Sequence, residues 1–124
     1  MVVRVFLVED NPTIRDGLME TLSELLDVRW AGWAPDEAGA IASMRAVPWD
    51  IALVDLFLEA GSGIGVARAF ESRGAAKLFV LTNYATPDMR ERCTEAGVDA
   101  VFDKSVELDA LLAAIEDVDA AGDP

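Results

Sequence analysis

The chain has no histidine among its 124 residues. That absence removes Ser-His and Cys-His nucleophilic pairs, imidazole metal ligands and any role as a phosphohistidine carrier. The single cysteine, Cys93, leaves no internal disulfide to form and fits a reducing compartment, so a cytoplasmic location is expected. Positive charge is scarce: ten Lys and Arg stand against 23 Asp and Glu, a net charge of −13. Such a surface repels phosphate backbones, and direct nucleic-acid binding is not expected. No apolar run approaches the roughly 20 residues of a membrane span, and the N-terminus lacks a signal-peptide layout, so no membrane insertion is expected. Internal repeats and linker-like stretches are missing as well. Any chemistry must therefore run on carboxylates, hydroxyls, lysine, backbone groups and a hard metal ion.

What is present is apolar and regularly alternating. The hydrophobic fraction of 52% is that of a compact globule, and 124 residues suit one domain with one core. Residues 2–8, 28–34, 51–54, 77–81 and 100–102 read as strands. The third is an unbroken apolar run, as expected of a strand buried on both faces. Between them lie helix signals. Asn11-Pro12 and Thr86-Pro87 each pair a cap with a proline at the first helical position. The first helix carries Ile14, Leu18, Leu22 and Leu25 on one face. Pro35-Asp36 opens a second, with Ile41 and Met44 inward, that stops before Pro48. A third follows Gly61 and Gly63, uses Val66, Ala67 and Phe70, and ends at Gly74. The fourth carries Met89, Cys93 and Ala96 before Gly97. Ser105 is the expected cap of the last, with Leu108, Leu111, Leu112, Ile115 and Val118 on one face. Residues 119–124 read as a short frayed acidic tail, which leaves 1–118 as the domain. Trp30, Trp33 and Trp49 read as packing residues and Cys93 as core.

Five strand–helix alternations demand a parallel sheet covered on both faces. The commonest solution is a flavodoxin-like, doubly wound (βα)5 α/β fold with strand order 2-1-3-4-5. Its ligand site lies beyond the carboxyl ends of the strands, at the switch between the first and third.

Polar groups end those strands. Glu9 and Asp10 follow the first, Asp55 ends the third, Thr82 the fourth, and Lys104 follows the fifth. Taken singly each has an ordinary explanation: a helix-start carboxylate, a strand threonine, a surface lysine. Gly61 and Gly63 most simply serve turn geometry. A parallel sheet, however, delivers all five polar groups to one edge. Three carboxylates there repel one another and call for a cation, and all-oxygen ligation selects a hard ion such as Mg²⁺. Asp10 is the expected direct ligand, Glu9 the holder of a metal-bound water, and the Phe57 backbone carbonyl a further ligand. Asp55 is then a carboxylate nucleophile toward phosphorus. Lys104 and the ion neutralise the transferring oxygens, and Thr82 donates to one of them.

With its acidic pair, Val-Asp-Leu at 54–56, Leu-Thr-Asn at 81–83 and Phe-Asp-Lys-Ser at 102–105, the chain resembles the receiver domain of bacterial two-component response regulators. The resemblance covers essentially the whole length. It implies that Asp55 is the phosphoacceptor, fed by a sensor histidine kinase or a histidine phosphotransfer protein, and that a downstream protein target reads the result. It also implies that Glu9, Asp10, Asp55 and the Phe57 carbonyl hold Mg²⁺, and that Thr82 and Lys104 bind the phosphoryl group. On that reading the chain is not an enzyme beyond its own phosphorylation and slow autodephosphorylation. A homodimer through the last helices and the fifth strand, as in many relatives, is left open.

Several positions depart from the family pattern. Glu59 stands where proline is common, and Ser105 follows the lysine in place of proline, so a trans bond is expected there. Val101 replaces the usual switch aromatic, with Tyr84 and Phe102 as candidate substitutes. Phe57 and Tyr84 are expected to flank the entry to the phosphoryl group and slow its hydrolysis. No effector domain follows in this sequence, so the chain is read either as a stand-alone receiver or as an excised N-terminal domain. The acidic tail ending in Gly122-Asp123-Pro124 leans toward the former. Rival readings are a phosphorylation-independent interaction module and an aspartate-nucleophile phosphatase. Phe57 occupies the position where the latter would want a general acid. A flavin-binding protein of the same fold is weaker, because residues 9–12 form no glycine-rich or hydroxyl-rich phosphate cradle.

Overall fold

The computed structural model of the protein describes residues 2–122. Strands β1 (Val3–Val8), β2 (Val28–Ala34), β3 (Ile51–Asp55), β4 (Lys77–Thr82) and β5 (Ala100–Asp103) alternate with five helices. These are α1 (Pro12–Leu25), α2 (Glu37–Ala46), α3 (Gly63–Ala69), α4 (Pro87–Glu95) and α5 (Leu108–Gly122). All strand pairings are parallel, in the order β2-β1-β3-β4-β5.

The period-two alternation of strand side chains divides the apolar runs between two cores. Val3, Val5, Leu7, Ile51, Leu53, Phe79 and Leu81 pack with Leu22 of α1 and with Leu111 and Ile115 of α5. Phe6, Val8, Ala52, Val54, Leu78 and Val80 face the other way, onto Met44, Val66, Ala67 and Cys93 of α2, α3 and α4. Two covered faces explain why β3 carries no polar residue before Asp55.

Register then sets the functional edge. Val8 pairs with Val54, Asp55 with Leu81, and Thr82 with Asp103, so β1, β3, β4 and β5 end within a residue or two of one another. A bulge at Val5/Phe6 shifts β2 against β1 and brings Gly32 against the Phe6 ring, where a Cβ would sit 2.9 Å from the ring edge.

The helix caps at Asn11, Asp36 and Thr86 form as the sequence predicts: each side chain accepts from a first-turn N–H. Other expectations need correction. Ser105 does not cap α5. Its N–H and hydroxyl both turn back to Asp103 Oδ1, and the helix begins only at Leu108. At the other end α5 continues through Asp119 to Gly122, where a frayed tail was expected, its alanines and glycine following without a break; residues 123 and 124 lie outside the described ones. Helix α3 stops at Ala69 rather than reaching Gly74, because the Phe70 N–H bonds Ala67 O and Arg73 takes the Phe70 carbonyl.

On α1 only Leu22 is fully buried, and Ile14 and Leu25 are exposed. Trp33 is likewise exposed rather than packed inside, and the Arg15 guanidinium lies 3.8 Å above its ring. Trp30 and Trp49 are half-buried, donating to Ser23 Oγ and Met44 O. No helix among the described residues is long and apolar enough to cross a membrane.

Candidate functional site

At the carboxyl edge of the sheet a cleft of about 210 Å³ is lined by Glu9, Asp10, Asp55, Phe57, Thr82, Tyr84 and Lys104, among others. Every candidate side chain named from the sequence therefore reaches one place. A larger, mostly apolar groove of about 340 Å³ between α1 and α5 lies beside it and shares Ile14 and Lys104, but Glu9, Asp10 and Asp55 do not line it.

Glu9 is only 2% exposed. A carboxylate so buried needs partners, and it has them: Lys104 Nζ donates to Oε2 at 2.9 Å, and the Asn11 N–H to Oε1 at 3.3 Å. Asp10 reaches across to the β3–α3 loop, its Oδ2 accepting the Glu59 N–H at 2.6 Å. Asp55 lies 3.2 Å from Lys104 Nζ. Glu9, Asp10 and Asp55 each offer an oxygen, and these atoms all fall within 4.8 Å of one another. Burial pushes the Asp55 carboxyl up to about 6, against the pull of Lys104 and with further help from neighbouring Glu9.

Thr82 is fully buried and its Oγ1 accepts the Tyr84 N–H at 3.0 Å, which leaves the hydroxyl proton to be donated. The Lys104 N–H bonds Thr82 O at 3.0 Å, which ties the end of β5 to the end of β4. Phe57 and Tyr84 meet edge to face with ring centroids 5.3 Å apart, both half or more exposed, at the mouth of the cleft. Phe102, a candidate switch aromatic, points instead into the α1/α5 core against Phe79; Val101 packs half-buried on the opposite core. The Lys104–Ser105 peptide is trans, as expected without a proline.

The glycines of the β3–α3 loop have separate reasons. Gly61 has φ +88°, a conformation other residues rarely adopt. Gly63 has ordinary dihedrals but abuts the Asp55 carbonyl, where a Cβ would clash. Neither residue lines the cleft. Glu37, which sequence reasoning passed over, accepts the Ser62 N–H at 2.9 Å and pins the same loop from α2. Nothing in its local sequence distinguishes it from a first-turn helix glutamate. Arg90 was also missed; its guanidinium bonds two backbone carbonyls and the Glu107 carboxylate.

Comparison with known proteins accords with this geometry. The family model described as the response regulator receiver domain matches residues 5–116. The DNA-binding transcriptional activator DevR/DosR of Mycobacterium tuberculosis is 31% identical over 119 residues, covering 95% of this chain and 55% of that protein. The transcriptional regulatory protein PdtaR of the same organism is 31% identical over 113 residues, covering 91% of this chain and 55% of its own length. The chain thus spans about half the length of the curated relatives it matches. Among solved structures, a two-component response regulator of the LuxR family from Aurantimonas sp. SI85-9A1 superposes with a TM-score of 0.88 at 27% identity, over 98% of this chain and 87% of that one. The signal receiver domain of NarL from Mycobacterium tuberculosis superposes with a TM-score of 0.83 at 26% identity, over 98% of both chains. Strand order, the gathered acidic edge and this match over nearly the whole length lead to one conclusion: the chain belongs to the response regulator receiver domains of two-component signalling.

Proposed function

We propose that Asp55 accepts a phosphoryl group from a phosphohistidine, on a sensor histidine kinase or a histidine phosphotransfer protein in the cytoplasm. The observation that carries this reading is the setting of Asp55: a mostly buried carboxylate, open to the cleft, with the Lys104 ammonium at 3.2 Å and Thr82 on the same wall. A carboxylate oxygen attacks phosphorus, the P–O bond forms as the P–N bond to imidazole breaks, and the imidazole leaves with the electron pair. Lys104 meets the negative charge on the equatorial oxygens, and the Thr82 hydroxyl donates to one of them.

The donor set fits a hard divalent ion. Three carboxylates converge, and no imidazole or thiolate lines the cleft. Mg²⁺ is the proposed occupant, held by Asp10, Asp55, the Phe57 carbonyl and a water on Glu9; bound there, it supplies charge neutralisation of the transferring oxygens. The Glu9–Lys104 pair keeps the ammonium in place at the edge of that group. The attached phosphoryl then draws Thr82 and Lys104 toward Asp55, and a downstream protein reads the displaced loops. The net charge of −13 speaks against nucleic acid as that partner for this chain.

The test is intact mass after incubation with acetyl phosphate and Mg²⁺, beside Asp55→Asn and a metal-free control. One phosphoryl addition, absent from both controls, is expected. If acetyl phosphate fails, a phosphohistidine donor is tried; no addition from either donor to folded protein would favour the phosphorylation-independent module.

A further inference from the structure

Two loops adjoin the proposed phosphoryl-binding groups: residues 83–86 follow Thr82, and residues 104–107, which follow Asp103, begin with Lys104. One side chain outside the cleft holds both. Arg90, in the first turns of α4, donates from Nε to Ala85 O at 3.2 Å, from Nη1 to Val101 O at 2.9 Å, and from Nη2 to Glu107 Oε1 at 2.6 Å. The same Glu107 oxygen accepts the Asp103 N–H at 3.0 Å. A guanidinium presents its donors in a rigid planar fork, so the three acceptors cannot shift independently without breaking a bond.

The other end of each loop is tied to the cleft. Thr82 Oγ1 accepts the Tyr84 N–H, one residue before Ala85. Lys104, three residues before Glu107, holds Glu9 and lies against Asp55. A Thr82 hydroxyl drawn to a phosphoryl oxygen carries the Tyr84 amide with it and pulls Ala85 O from Arg90. A Lys104 drawn the same way strains the Glu107 side. Val101, on the strand between, has no ring that could turn to relay either motion.

We infer that Arg90, with Glu107, is the positioning pair that couples the two phosphoryl-sensing loops, and that its bonds hold them in the unphosphorylated arrangement. This rests on the receiver reading above. Coupling is reciprocal: if occupancy at Asp55 loosens the Arg90 bonds, then loosening them first must favour occupancy. A bridge of purely structural value would lower stability without changing affinity at Asp55.

The experiment titrates beryllofluoride, a phosphoryl mimic, into Mg²⁺-loaded protein and follows backbone amides by NMR. Arg90→Lys keeps the charge and loses the fork; Glu107→Gln keeps an acceptor oxygen for Asp103 and loses the charge. Both are mild enough to spare the fold, which the spectra report directly. Expected for both is tighter binding, about 5-fold at the low end of ordinary allosteric coupling. The amide shift at Glu107 should shrink relative to that at Tyr84. Wild-type affinity and an undiminished Glu107 response in both folded variants would overturn the coupling while leaving the receiver reading intact. Wild-type protein that neither binds beryllofluoride nor takes a phosphoryl group would overturn both.

Discussion

The Lys104 ammonium sits 2.9 Å from Glu9 Oε2, joining residues 95 positions apart across the sheet edge, and 3.2 Å from Asp55 Oδ2. One cation therefore offsets two poorly solvated carboxylates. Lys104→Met leaves both without it, and a loss on the order of 3 kcal/mol is expected at pH 8 for breaking such a pair from one side. Asp55, pushed up to about 6 by burial, takes up a proton in acid, so the deficit should shrink by pH 5. Urea unfolding at the two pH values measures it; an equal deficit at both would mean that Lys104 acts through packing alone.

Asp55 titrates at about 6 in the metal-free protein, above its ordinary value of 3.8. The folded state then binds the proton more tightly than the unfolded state. The sign follows: the contribution to stability is fully present below about pH 4 and is lost as pH rises through about 6. Asp55→Asn removes the charge that burial penalises. It should stabilise the metal-free protein at pH 8 and make little difference at pH 4. Thermal melts in chelator across that range check it.

Metal binding should act in the opposite sense to this self-repulsion. Because three carboxylate oxygens lie within 4.8 Å of one another, millimolar Mg²⁺ should raise the melting temperature, by about 3–5 °C if the gain is near 1 kcal/mol. Asp10→Ala should remove the rise. It also frees the Glu59 N–H, so the comparison is made between each variant's own melts with and without the ion.

The Phe57 and Tyr84 rings close the mouth of the cleft as an edge-to-face pair, a contact worth about 0.5–1.5 kcal/mol beyond its area. Attack by water on a phosphoryl group at Asp55 must pass them. Phe57→Ala and Tyr84→Ala should each speed phosphate release several-fold. Together they should give less than the product of the two, since the rings act as one screen. A phosphate-release time course on the four proteins decides the matter, and an unchanged rate in Phe57→Ala would count against the screen.

Much of this protein is determined locally. Alternating apolar runs, the caps at Asn11, Asp36 and Thr86, and the turn glycines specify five strand–helix units, and two-sided burial then calls for a parallel sheet, whose commonest order is the one observed. Because strands deliver their carboxyl ends to a common edge, the sequence alone groups Glu9, Asp10, Asp55, Thr82 and Lys104, which line one cleft. What depends on neighbours distant in the chain is not written there. Ile14 and Leu25 sit on the expected apolar stripe, yet both are exposed in the fold. Trp33 stays at the surface, where Arg15 from another element stacks on it. Ser105 has the chemistry of a cap, but Asp103 is nearer and takes both its donors. Arg90 has no signature at all in an exposed, charge-rich helix; its role exists only where Ala85, Val101 and Glu107 come within reach of one guanidinium. Periodicity and caps act over a few residues and are written in the sequence, whereas a side chain's partners are chosen by the packing of whole elements.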